Sequence, residues 1–218
     1  MVAIDSSMDV IPAARHETEH TGQIILFALL GSALLATASL VLNGADGWRV
    51  ASDMVSRFSL LVFVAAMIVE PLARFFPTRT MRALGQERGS LVLAFAATAA
   101  ASLACIVLPA ELGGEALTVP AIAYCVLTGL ILVVMLFSGH PATMRFLGAP
   151  AWRAMQRIAT SYFWLVFTLS LIERLIGPHR PDSWPGFALM LLVAALLLRF
   201  ADAFWANIRR PALAEKVA

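Results

Sequence analysis

The chain has 218 residues, 60% hydrophobic and 14% charged, with a mean hydropathy of +0.82. A soluble domain of this length carries about a quarter charged residues, so the composition excludes an ordinary soluble globule. The formal charge of +2 gives no argument for a nucleic-acid partner. Fifteen arginines and one lysine, Lys216, supply the positive charge.

The first residues, MVAIDSSMDVIPAARHETEH, lack a basic start followed by an apolar core and carry Asp5, Asp9, Glu17 and Glu19. They read as a flexible cytoplasmic tail (1–21), not as a signal peptide. Six apolar runs of about 20 residues follow, each long enough to cross a hydrocarbon core of roughly 30 Å as a helix. They are continuous and do not alternate in polarity, which argues against barrel strands. Span 1 (23–42) carries the small residues Gly31, Ser32, Ala33 and Ala36, a face suited to close packing on a neighbour. NGADGW then turns the chain. Span 2 (54–73) has Arg57 near one end, able to snorkel to the interface, and Glu70–Pro71 near the other. The loop RFFPTRTMRALGQERG sets Arg74, Arg79, Arg82 and Arg88 against a single acid, Glu87.

Span 3 (90–109) is uncharged, and a short acidic loop leads to span 4 (119–138). The next loop holds Arg145, Arg153 and Arg157. Span 5 (158–176) ends in Glu173 and Arg174, a proline-rich loop follows, and span 6 (187–205) ends with Arg199, Asp202, Phe204 and Trp205. Residues 206–218 form a basic cytoplasmic tail. Six spans put both termini on one side. That side collects twelve of the sixteen basic residues against four on the other, so the positive-inside rule makes it the cytoplasm. The expectation is an all-α integral membrane protein, a six-transmembrane-helix bundle (22–205) in the inner (plasma) membrane with cytoplasmic N and C termini. Trp48 and Trp184 fall at span ends on the outer side, and Trp152 and Trp205 on the inner. No loop exceeds about twenty residues, so a flavin or nucleotide module finds no room between spans, and no glycine-rich phosphate loop is present. Any electron donor would be another polypeptide.

The polar residues inside or beside the spans are the candidate functional positions. Glu70 is expected to pair with Arg74 at i+4, or with Arg82 or Arg157 across the bundle. Arg199 and Asp202 are spaced i, i+3 and are expected to pair with each other. Tyr162, Phe163, Trp164 and Phe167 read as core packing or lipid-facing. Cys105 and Cys125 read as small core residues. His16–Glu17–Thr18–Glu19–His20 matches H-E-x-x-H, but in a polar stretch before the first span; no catalytic metal is expected, and His16, His20 and His140 are only weak metal candidates.

The segments SRFSLLVFVAAMIVEPLARFF and MRALGQERGSLVLAFAATAA resemble the start of the ferric reductase-like transmembrane domain. The nearest branch is the haem-binding membrane subunit that partners a periplasmic methionine sulfoxide reductase. The resemblance rests on the turn Pro71, Leu72, Ala73 and Arg74, on Arg82, Ala83, Leu84 and Gly85, and on Arg145, Phe146, Leu147 and Gly148 followed by Trp152 and Arg153. It covers roughly residues 50–205. It implies haem b held by histidines of the third and fifth helices. Here those places read Ala99–Leu103, Gln156–Arg157 and Thr168–Leu169, with no histidine between positions 21 and 139 or between 141 and 178. The reading is therefore a ferric-reductase-like membrane subunit without the family's haem site. It would be an accessory or docking component of a membrane redox system, or a binder of a quinone or pigment without axial histidine, partnered by the bilayer and by a membrane or cytoplasmic protein subunit. It is not expected to catalyse alone. The alternative is a small transporter or permease with Glu70 and the arginine cluster lining a path.

Overall fold

A computed structural model describes residues 11–43, 47–76, 78–86, 88–113, 118–138, 148–177 and 183–214. For 11–22, 82, 83, 86, 111–113, 138, 149, 206, 207 and 209–214 it describes the backbone alone. These residues form seven α-helices and no strand: α1 (Ile11–Asn43), α2 (Gly47–Phe75), α3 (Arg79–Gln86), α4 (Arg88–Gly113), α5 (Val119–Ser138), α6 (Ala149–Ile176) and α7 (Trp184–Ala214). All but the short α3 are long and apolar enough to cross a membrane. Large apolar side chains such as Phe27, Leu34, Val126, Leu130, Ile158 and Leu197 are more than half exposed. Water tolerates no such continuous apolar surface on a soluble monomer, so the surface is one for lipid contact.

Four helix bounds differ from those expected. Helix α6 starts at Ala149 and not near Ile158. The first helix starts at Ile11, so half of the expected N-terminal tail is helical and continuous with span 1. The last runs on to Ala214, taking in most of the expected basic tail. The second starts at Gly47 and not near Met54, which shortens the expected loop. The cause lies at Gly47, where a Cβ would sit 2.7 Å from the Leu40 backbone: the absent side chain lets the start of α2 rest directly on the end of α1.

Successive long helices run in alternating directions. Contacts between distant residues fix this: the end of α2 meets the end of α7 through Arg74 and Asp202, and the start of α2 meets the end of α6 through Asp53 and Arg174. The two ends of the molecule are named below for Glu70 and Asp53.

The second helix is the hub and packs against α1, α3, α4 and α7. Its inward positions Leu60, Phe63, Val64 and Met67 follow the helical repeat and meet Phe95, Ala96 and Ala99 of α4, Phe163 of α6 and Leu192 of α7 in one core. In lipid the drive for this packing is close van der Waals fit, not escape from water. Accordingly the core mixes rings with alanines: Ala96, Ala188 and Ala195 are buried where backbones approach. The first helix joins a smaller cluster, its Leu35 and Ala36 packing on Ala51, Val55 and Cys105. A Cβ on Gly31 would lie 3.2 Å from the Phe58 ring, and Ser32 is buried. Gly31, Ser32 and Ala36 thus form the expected packing face, while Ala33 points outward. Both cysteines are free; Cys105 is buried and Cys125 half-buried.

Candidate functional site

Two ion-pair clusters cap the molecule, one at each end. At the Glu70 end, Arg74 Nη2 donates to Glu70 Oε1 at 2.5 Å and Arg74 Nη1 to Asp202 Oδ2 at 2.8 Å. Arg88 of α4 forms an ion pair with the other Glu70 oxygen. Two carboxylates and two arginines therefore join α2, α4 and α7. The expected Glu70–Arg74 pair is present. The expected Arg199–Asp202 pair is not: Asp202 turns to Arg74 across the helix interface, and Arg199 has no carboxylate at ion-pair distance among the described residues. Glu70 and Arg157 form no ion pair either, since Arg88 fills the place on Glu70 and Arg157 Nε donates to the Arg153 carbonyl at 3.4 Å. The backbone of Arg82 lies in α3, and its side chain is outside the described residues.

Beside this cluster a groove of about 470 Å³ opens between α2, α6 and α7. Met67 and Leu196 supply apolar walls, Arg157 and Arg199 the positive charge, and Thr160 a hydroxyl. Trp164 also lines it, and its buried Nε1–H has no acceptor among the described residues. Such an unsatisfied buried donor costs about 1–3 kcal/mol. Within the ion-pair cluster and the groove, the described residues set two carboxylates (Glu70 and Asp202) against four guanidinium groups (Arg74, Arg88, Arg157 and Arg199). The groove side of this cluster carries the surplus positive charge.

At the Asp53 end, Arg57 Nε donates to Asp53 Oδ2 at 2.8 Å, Arg174 forms an ion pair with Asp53 Oδ1, and the Arg57 guanidinium lies 5.4 Å above the Trp184 ring. Asp53 and Arg88 were missed as site residues in the sequence. The i, i+4 spacing of Asp53 and Arg57 was the available signal for the first; nothing local marked the second.

Between the two ends the interior is nearly solid. Phe63 and Phe95 have ring centroids 4.9 Å apart, Phe95 meets Phe163 edge-on at 4.8 Å, and Phe167 lies 5.5 Å from Phe63. The aromatic run on α6 is thus core packing in the case of Phe163. A polar seam runs beside these rings: Thr98 Oγ1 donates to the Phe95 carbonyl at 2.9 Å and lies 3.3 Å from Ser59 Oγ, while Thr128 and Tyr162 share a hydrogen bond of 2.8 Å. The cavity along the seam, beside Ser56, Ser102 and Tyr124, measures about 20 Å³, room for about one water.

The haem that the resemblance implies is not accommodated by these residues. The α4–α6 interface is filled by Phe95 and Phe163, Leu169 of α6 is 57% exposed on the outer surface, and no imidazole lies on either helix. His140 is outside the described residues, as are the side chains of His16 and His20, whose backbone lies one turn apart in α1. Among the described residues no group of three metal-binding side chains gathers.

Comparison with known proteins returned no significant match to a family model, a curated protein or a solved structure.

Proposed function

We propose that the chain is a six-span membrane subunit of ferric-reductase-like type that carries no haem of its own and serves as an accessory or docking component of a membrane redox system. The carrying observation is the filled centre: rings of Phe63, Phe95, Phe163 and Phe167 take the space between helices where a cofactor or a conduit would run. A bundle with a closed middle acts through its ends and its lipid-facing rim. In this reading the Glu70 end is cytoplasmic, because the arginines concentrate there, and the bilayer is the inner (plasma) membrane. The motif residues of the resemblance take structural roles consistent with it: Arg74 ties α2 to α7, and Gly85 lets α3 lie against Ala73, where a Cβ would come within 3.1 Å. Arg79 and Arg153, both exposed at that end, offer a basic surface to a cytoplasmic or membrane partner.

The transporter reading is weaker on the same geometry. Both Glu70 oxygens are engaged by arginines, and the interior cavity holds about one water. Two measurements separate the readings. Detergent-purified protein should show no haem or flavin band above the aromatic absorption, oxidised or dithionite-reduced. A partner that co-purifies with the wild type should be lost on charge reversal of Arg79 and Arg153. A haem b spectrum, or solute flux in proteoliposomes abolished by Glu70→Gln, would overturn the docking reading.

A further inference from the structure

The groove between α2, α6 and α7 has the chemistry of a ligand site, and it owes nothing to the docking reading. Its volume of about 470 Å³ lies in the range of small-molecule sites, far above two smaller voids of about 20 Å³ each elsewhere among the described residues. Its two arginines come from different helices, and neither has a carboxylate at ion-pair distance among the described residues. Glu70 and Asp202 act on Arg199 only from beyond ion-pair distance, so an anion seated between the two guanidinium groups at the rim of these apolar helices is favourable. Charge-assisted pairing of arginine with phosphate oxygens is strong and often bidentate. Ser161 adds a hydroxyl on the same wall, while that of Thr160 is donated to the Gln156 carbonyl at 2.8 Å, and Trp164 adds a buried N–H without an acceptor among the described residues.

Below the arginines the walls turn apolar. Met67 and Leu196 lie just under one turn deeper than Glu70 and Arg199, toward the middle of their helices. On the outer surface of α7, Leu197 and Phe200 are more than 60% exposed, so the groove opens onto apolar, lipid-facing surface. A polar, cationic upper part and an apolar lower part at one membrane face match a headgroup and its chain, as in basic pockets between transmembrane helices that hold anionic lipid. We infer that this groove binds one anionic phospholipid, its phosphate between Arg157 and Arg199 and an acyl chain along Met67 and Leu196.

Native mass spectrometry of the full chain in neutral detergent tests this, with titrations of phosphatidylglycerol, phosphatidylcholine and inorganic phosphate. One phosphatidylglycerol should bind at least tenfold tighter than phosphatidylcholine. The pair Arg157→Gln with Arg199→Gln should erase that preference, and Arg174→Gln at the opposite end should keep it. Ala203→Phe, which leaves both arginines in place and fills the groove, should weaken the same adduct; this variant decides the matter if the arginine pair fails to fold. Equal binding of the two lipids, retention of the preference in both groove variants, or equally tight binding of inorganic phosphate alone would each overturn the assignment. The last would mean a free-anion site in which the apolar wall plays no part.

Discussion

Phe95→Ala tests the claim that the middle of the molecule is packed. Phe95 is 1% exposed, with ring centroids 4.9 Å from Phe63, 4.8 Å from Phe163 and 6.2 Å from Phe167. Two of these pairs sit at close range and one near the outer limit, so ring–ring attraction alone is about 1–3 kcal/mol. Truncating a core phenylalanine in a water-soluble protein costs about 3–5 kcal/mol. Part of that is transfer from water, and it shrinks here because detergent or lipid also solvates the ring in the unfolded state. The expected loss is therefore about 2–4 kcal/mol, or one and a half to three decades in the unfolding equilibrium. The assay is reversible unfolding in mixed micelles with increasing SDS mole fraction, followed by circular dichroism. Leu169→Ala, at an outward position that is 57% exposed, is the control and should change stability by less than about 0.5 kcal/mol. If Phe95→Ala costs no more than Leu169→Ala, the rings do not hold the centre together, and the argument against an internal cofactor or conduit fails with them.

Glu70→Gln should lower stability by about 1–2 kcal/mol in the same assay, a charge-assisted pair discounted for its partial exposure, because Arg74 and Arg88 lose their shared carboxylate. Most of that loss should vanish above about 0.5 M salt, where exposed charges are screened. Asp53→Asn should act likewise at the other end, and Arg174→Gln added to it should cost little more, since both remove the same pair. Gly47→Ala should be worse than either, by about 2 kcal/mol or more, because the new methyl meets backbone atoms of α1 and not a movable side chain; a neutral result in thermal unfolding would show that α1 shifts freely on α2.

The architecture was largely legible in the sequence because lipid imposes one simple rule: apolar runs of sufficient length become helices. Six such runs gave six long helices, four of whose ends lie seven to twelve residues from the expected limits. Apart from the start of α2, set by Gly47, the misplaced ends have one cause. Polarity marks where a helix leaves the hydrocarbon, not where its hydrogen bonds stop, so Ile11–Thr21 and Ala206–Ala214 continue helices beyond the apolar part. Pairs within one turn were readable as well: Glu70–Arg74 follows from spacing, and Asp53–Arg57 would have. Contacts between helices were not. Nothing local in the sequence tells that Asp202 turns away from Arg199 toward Arg74, 128 residues earlier, or that Arg88 reaches Glu70. The groove was hidden for the same reason: Arg157, Thr160 and Trp164 share one face of α6, but only the packing of α7 brings Arg199 to them.

The place of α2 also bears on how the molecule is made. Arg74 of this helix meets Asp202 only after 128 more residues have been synthesised, and Trp184 reaches Arg57 almost as late. Until then α2 must wait in the bilayer with its α7-facing side covered by lipid. Helix α7 therefore closes both rims of this bundle in a single insertion, one contact at each face, and a nascent chain cut short before Trp184 would leave the hub unsealed on that side.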